Sequence, residues 1–265
     1  MPIFGKFTYN GISSESFGNL ILCTFDSQTE RKTQAKETYK GETNPWRDIP
    51  AYYADKYAVP LTAALTLAKA NGAPFSGEEA RKIRSWLISP TGYRLLEIDD
   101  GNGSYEDIEF FAKFTASRER VYTGNTDALS FDLECNAPYG HTKERKAAFS
   151  PNSTITIRND SDDTERDCYP VIHITPAATG TVKIVNEAFP GEVMQLKVLS
   201  KNNVVVDNQR KTISDDLDRF DFANDFNSNL NFTWIRLAHG TNKITVTGDC
   251  SGYFTYRFIR MVGIE

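Results

Sequence analysis

Ala128-Leu129-Ser130-Phe131-Asp132-Leu133-Glu134-Cys135 decides the fold class of this chain. Leu129, Phe131, Leu133 and Cys135 alternate with Ser130, Asp132 and Glu134. A period of two sets one row of side chains against a core and the other in water or against another subunit. Upstream, Tyr93 to Ile98 and Tyr105 to Phe114 also read as strands. The Asp99-Asp100-Gly101-Asn102-Gly103 run between them reads as a hairpin turn rather than a calcium loop. With Gly103 at the sharp-turn position of an EF-hand, Ile98 would stand where the first carboxylate belongs.

One helix interrupts the strands, over about 77–88. Ser76 is its N-cap and Glu79, three residues on, completes a capping box. Ala80, Ile83, Trp86 and Leu87 recur at helical spacing, and Pro90 closes the segment. Trp86 sits on that apolar stripe, which makes it a core anchor before it is a binding platform.

Leu20-Ile21-Leu22-Cys23-Thr24-Phe25 reads as a strand buried on both faces. The polar stretch that follows, about 26–48, is too long for a turn. It is either an extended hairpin arm or a loop without fixed structure. Ala35, Tyr39 and Trp46 are its few apolar residues and cannot support a core. Lys32, Tyr39 and Trp46 are the candidate contact residues of such an arm.

Composition changes after Pro138-Tyr139, which places a domain boundary near residue 140: domains 1–140 and 141–265. Thr142 to Arg166 is mostly polar, and Asn159-Asp160-Ser161-Asp162-Asp163 reads as an exposed loop. Beyond it, Ile172/Ile174, Val182/Ile184, Met194/Leu196/Val198 and Ile244/Val246 keep period two between Gly, Pro and Asn turns. Short strands at that spacing make a β-sandwich or jelly roll. The aromatic strand 253–262 either completes this sandwich or returns to the first domain.

The 265-residue chain has a formal charge of −5, which argues against general nucleic-acid binding. No stretch approaches the roughly 18 uninterrupted apolar residues of a membrane helix. Met1-Pro2-Ile3-Phe4-Gly5-Lys6 lacks the pattern of a signal peptide, so the expectation is a cytoplasmic protein unless a larger particle carries it out. Cys23, Cys135, Cys168 and Cys250 lie far apart with no C-x-x-C, and read as free thiols, with a Cys168–Cys250 bridge as the alternative. His141, His173 and His239 have no metal-ligand spacing. There is no G-x-S-x-G turn and no Gly-rich phosphate loop. The acidic group Asp215, Asp216, Asp218 and Asp221 reads as a solvated loop rather than paired catalytic carboxylates. No catalytic residue, metal or cofactor is expected.

Short patterns in a fixed order run along the chain: Tyr9-Asn10-Gly11, Ser16-Phe17-Gly18-Asn19-Leu20, Arg84-Ser85-Trp86-Leu87, Glu134-Cys135-Asn136-Ala137-Pro138-Tyr139, Pro170-Val171-Ile172-His173-Ile174 and Trp234-Ile235-Arg236-Leu237-Ala238-His239-Gly240-Thr241-Asn242. Their order resembles the distal tail proteins (Dit) of siphophages. The resemblance implies a mainly β chain of two domains. The first would be a sandwich-like ring domain with one helix and a long arm hairpin, the second a galectin-like β-sandwich. It further implies a homo-hexameric hub ring in the tail tip, assembled in the host cytoplasm. Such a ring joins the tail tube protein to the tail-associated tip protein and receptor-binding proteins, and DNA passes through it without specific binding. The alternative is a host-sugar-binding module in the second domain. Trp234, Arg236, His239 and Asn242 supply residue types used in galectin sugar sites, although neither H-x-N-P-R nor W-G-x-E-x-R occurs here.

Overall fold

A computed structural model describes residues 5–23, 36–40, 52–57, 59–198, 202–215 and 231–264, with 36–40 and 52–57 described as backbone. The chain divides into two compact units, 1–141 with 260–265 and 142–259. The protein is mostly β with one α-helix among the described residues.

The first unit contains β1 (Lys6–Tyr9), β2 (Ile12–Ser13), β3 (Leu20–Cys23), β4 (Lys36–Lys40), β5 (Tyr52–Tyr57), β6 (Thr62–Lys69), the helix α1 (Gly77–Ile88), β7 (Arg94–Asp99), β8 (Ile108–Tyr122), β9 (Asn125–Cys135) and β10 (Gly140–Thr142). Its main sheet runs β2-β1-β7-β8-β9-β6-β3. The two ends then meet: Leu22 N–H donates to the Gly5 carbonyl at 2.8 Å and Gly5 N–H to Leu22 at 3.4 Å. One sheet thus curls into a barrel, which removes most of its edges. Tyr9, Leu20, Leu67, Leu96, Phe110, Leu129, Phe131 and Leu133 fill the interior. In β3 only Leu20 and Leu22 are buried, while Ile21 and Cys23 are half-buried, because the strand has one face on this core rather than two.

The barrel has a gap. β7 pairs with β8 only from Glu109 to Ala112, so beyond Ala112 that 15-residue strand has no pairing with β7. Helix α1 packs there, and Arg84 pairs with Glu119 of β8. A helix laid along an open edge shields it from stray pairing. The capping box is formed: Ser76 Oγ accepts from Glu79 N–H at 3.3 Å and Glu79 Oε2 accepts from Ser76 N–H at 2.8 Å. Trp86 stacks between Phe7 and Phe17, at 5.4 and 4.5 Å between ring centroids. Its indole N–H donates to the Tyr9 carbonyl at 3.2 Å, so a large apolar side chain is buried with its one polar atom satisfied.

The second unit contains β11 (Arg145–Phe149), β12 (Ser153–Asn159), β13 (Val171–Pro176), β14 (Gly180–Asn186), β15 (Val193–Val198), β16 (Val204–Asp207), β17 (Thr212–Asp215), β18 (Gly240–Thr247) and β19 (Cys250–Tyr256). They form two antiparallel sheets, β11-β19-β13-β16-β17 and β12-β18-β14-β15. The inner faces share one core, with Ile172, Val206 and Phe254 from the first sheet and Ile184, Met194, Ile244 and Val246 from the second. At Gly252 a Cβ would lie 1.9 Å from the His173 carbonyl oxygen and 2.7 Å from the Phe149 ring, so only glycine fits the crossing of β19 and β13.

Two expectations change. The polar segment 142–166 holds β11 and β12: in β12, Ile155 and Ile157 alternate with Thr154, Thr156 and Arg158. The exposed loop read over Asn159–Asp163 is only half exposed, since Asn159, Ser161 and Asp163 are buried. Their side chains are consumed in turn hydrogen bonds, Asn159 Oδ1 from Ser161 N–H and Asp163 Oδ1 from Glu165 N–H. The aromatic stretch 253–262 is split. β19 completes the sandwich, whereas Arg260–Glu265 belongs to the first unit, where the Tyr105 hydroxyl donates to Gly263 O at 3.1 Å. A short β20 (Ile259–Arg260) pairs with β10.

Candidate functional surfaces

The arm is a hairpin. β4 and β5 pair antiparallel as a two-stranded sheet of their own, with Tyr39 opposite Ala54 and an irregular register between Tyr39 and Lys40. Its return strand runs to Tyr57, beyond the Asp48 limit read from composition. Lys32 and Trp46 lie outside the described residues, and Tyr39 is placed by its backbone alone. Two backbone strands with no further sheet neighbour among the described residues offer donors and acceptors for an added strand.

A second projection was not singled out from sequence. β8 and β9 continue to a tight turn at Thr123 and Gly124, whose φ values are +48° and +84°. Val121 and Tyr122 at the tip are 58% and 70% exposed. The signal available was the run Val121-Tyr122 before Thr123-Gly124, apolar residues beside a turn.

The candidate sugar residues of the second unit are brought into one segment, 231–239 and the start of β18, but each is engaged differently. Asn242 is fully buried: its Oδ1 accepts from Ala238 N–H at 2.9 Å and its Nδ2 donates to Ala238 O at 2.8 Å. Asn186 Nδ2 donates both to Asn242 Oδ1 and to the Arg236 carbonyl, each at 2.8 Å. Arg236 forks onto Glu192 at 2.6 and 3.1 Å and reaches Asp167 at 2.7 Å. Its guanidinium lies 3.9 Å from the Phe189 ring centre. Glu192 and Asp167 hold Arg236 charged, raising its pKa, and Arg236 in return lowers that of Glu192. Trp234 is half-buried against the sandwich core and His239 is exposed.

The four cysteines are free thiols. Burial pushes Cys23 up to about 11 and Cys135 and Cys168 up to about 12, with Cys250 raised for the same reason. On the outer face of β13 and β19, His173 stacks on Tyr253 at 4.5 Å and Lys146 lies over the same ring at 5.2 Å. Burial, outweighing the pull of Glu144, lowers the pKa of His173. Asp215 ends β17, and Asp216, Asp218 and Asp221 lie outside the described residues. No helix among the described residues is long and apolar enough to cross a membrane. Among the same residues no three His, Cys, Asp or Glu side chains gather as a metal site.

A family model described as phage tail protein N-terminal domain matches residues 3–137, and one described as phage tail C-terminal domain matches residues 138–256. No curated protein matches the chain. Among solved structures, the chain is similar to the Dit protein of phage SPP1, described as a paradigm of the hub adsorption apparatus in phages that infect Gram-positive hosts. The identity is 10%, the TM-score 0.65, and the match covers 96% of this chain and 99% of that one. It is also similar to a chain of the phage P2 baseplate in its activated conformation with calcium, at 9% identity and a TM-score of 0.54 over 96% and 97% of the two chains. The strontium form of that baseplate gives 10%, 0.55, 98% and 99%. The chain belongs to the phage tail protein family, and its fold is that of the Dit proteins.

Proposed function

We propose that this tail protein is a hub component of a siphophage tail tip, whose first unit closes with five further copies into a ring. The ring joins the tail tube to the tail-associated tip protein and receptor-binding proteins, and its channel lets DNA pass. Assembly takes place in the host cytoplasm, and the finished protein resides in the virion tail tip. The observation that carries this reading is the full-length likeness to a hub protein, 96% of one chain against 99% of the other, with two phage-tail domain models matching residues 3–137 and 138–256. The self-paired β4–β5 hairpin supports it as the arm that lies on the neighbouring subunit. Head-to-tail contacts repeated through a closing rotation give rings. The formal charge of −5 per copy favours passage of DNA over its retention.

A sugar-binding role for the second unit is the other reading. It gains little from Arg236 and Asn242, whose polar atoms are spent on Glu192, Asp167, Ala238 and Asn186. The deciding experiment is the mass of the purified protein by light scattering across a concentration series. A six-fold mass that falls to one-fold on deletion of residues 36–57, with folding retained, is the expected result. A strict monomer at every concentration, with and without the tail tube protein, would sink the ring.

A further inference from the structure

The outer face of the β12-β18-β14-β15 sheet is unlike the rest of this acidic chain. Its exposed positions are Arg158 on β12, Lys243 on β18, Lys183 on β14 and Lys197 on β15, set among Thr154, Thr156, Thr241, Thr247, Thr181 and Gln195. The sheet's own strands place no carboxylate on that face. Carboxylates flank it at Glu187, 3.8 Å from Lys243, and at the exposed Asp160 and Asp249 just past the ends of β12 and β18. Arg158, Lys183 and Lys197 have no ion-pair partner among the described residues.

The register fixes how the four cations are arranged. Arg158 pairs with Thr241 and Thr156 with Lys243, so Arg158 and Lys243 are diagonal neighbours. Lys183 pairs with Thr247, four residues along β18 from Lys243. Thr181 pairs with Lys197, which makes Lys183 and Lys197 diagonal neighbours as well. All three steps advance in the same direction, one strand over and further along. Diagonal neighbours stand roughly 8 Å apart, the middle step is about 14 Å, and the whole line is about 30 Å long. The cations therefore form a straight stripe across the sheet, not a cluster.

We infer that this stripe binds a linear polymer of phosphodiesters that carries no bases, of the polyol-phosphate kind. A line of four cations, three of them without an ion-pair partner among the described residues, matches a chain of repeated negative charge better than it matches a single anion. Threonine hydroxyls and Gln195 between the cations can hydrogen-bond phosphate and polyol oxygens. Nucleic acid is the competing polymer. Proteins that hold single strands stack bases on aromatic rings, and the four described strands of this face carry none. The stacked pair His173 and Tyr253 is on β13 and β19 of the other sheet. The inference does not depend on ring assembly, although several copies in a ring would multiply a weak affinity.

Fluorescence anisotropy of the full chain with a labelled oligo(glycerol phosphate) long enough to span the stripe tests this. An abasic deoxyribose-phosphate oligomer and oligo(dT) of equal phosphate count run beside it. The expected result is equal binding of the first two with no gain for oligo(dT). The affinity should fall with salt at a log–log slope of about −3, four contacts at roughly 0.7 each. Lys183→Gln with Lys197→Gln should halve that slope and weaken binding about tenfold or more. Lys82→Gln on α1 is the control and should change nothing, and circular dichroism should show both variants folded. Absence of binding, tenfold tighter binding of oligo(dT), or binding indifferent to the double variant would each overturn the inference.

Discussion

The two units solve the same problem, covering a β-sheet, by different means. The first bends a single sheet until Gly5 meets Leu22 and fills the remaining gap with α1, whose Trp86 is clamped between Phe7 and Phe17. Its stability is concentrated in a few large apolar contacts. The second faces two sheets across a shared apolar core and fixes the irregular 231–239 segment with buried asparagines. Asn208 Oδ1 accepts from Ile235 N–H at 2.8 Å while its Nδ2 donates to Pro170 O at 2.6 Å. Backbone groups with no strand partner must be satisfied by side chains when buried. Order in the second unit therefore comes from polar fit as much as from hydrophobic area, and a change of a single atom is felt there.

The largest expected effect follows from that fit. Gly252→Ala drives a methyl into the His173 carbonyl and should cost about 4 kcal/mol or more, among the worst outcomes for a point substitution. Urea unfolding with fluorescence and circular dichroism should lose the transition of the second unit and leave that of the first in place. Next in size, Trp86→Ala should lower the first unit by about 3–5 kcal/mol and spare the second. If either variant shifted one common transition, the units would share a single cooperative core and the contrast drawn above would fail.

The smallest effect sharpens the contrast at the start of α1. Lys69, at 2.7 Å, and then the Ser76 N–H and hydroxyl hold the Glu79 carboxylate at about 2, against an ordinary value of 4.5. The folded pKa lies below the unfolded one, so the contribution is complete above about pH 4.5 and is lost as pH falls toward 2. Glu79→Gln should flatten the acid side of the first unit's stability profile in that window. A slope unchanged by the substitution would mean that the capping box is not what acid breaks.

These elements differ in how openly they are written. The capping box and the β9 alternation were legible because each is local: Ser76 and Glu79 are three residues apart, and Leu129 to Cys135 follows one period. Barrel closure was not, since it rests on a single pairing of Gly5 with Leu22 that no pattern marks. β11 and β12 escaped because Ala147, Thr154 and Thr156 dilute the apolar rhythm. The arm's polarity marked a segment without a core of its own, whereas nothing marked the β8–β9 tip, because Val121 and Tyr122 look like any strand residues until their exposure is known. For Arg236 and Asn242 the residue types were right for a sugar site and equally right for pinning a loop. The partners that take up their polar atoms, Glu192, Asp167 and Asn186, are distant in sequence and no local pattern marks them.

The raised thiol pKa values have a consequence for durability. At neutral pH a thiol at about 11 is ionised in roughly one molecule in ten thousand, and the thiolate is the species that oxidants and disulfides attack. Cys135 and Cys168, at about 12, are more inert still. The thiols of this tail protein therefore react slowly with oxidants and disulfides at neutral pH.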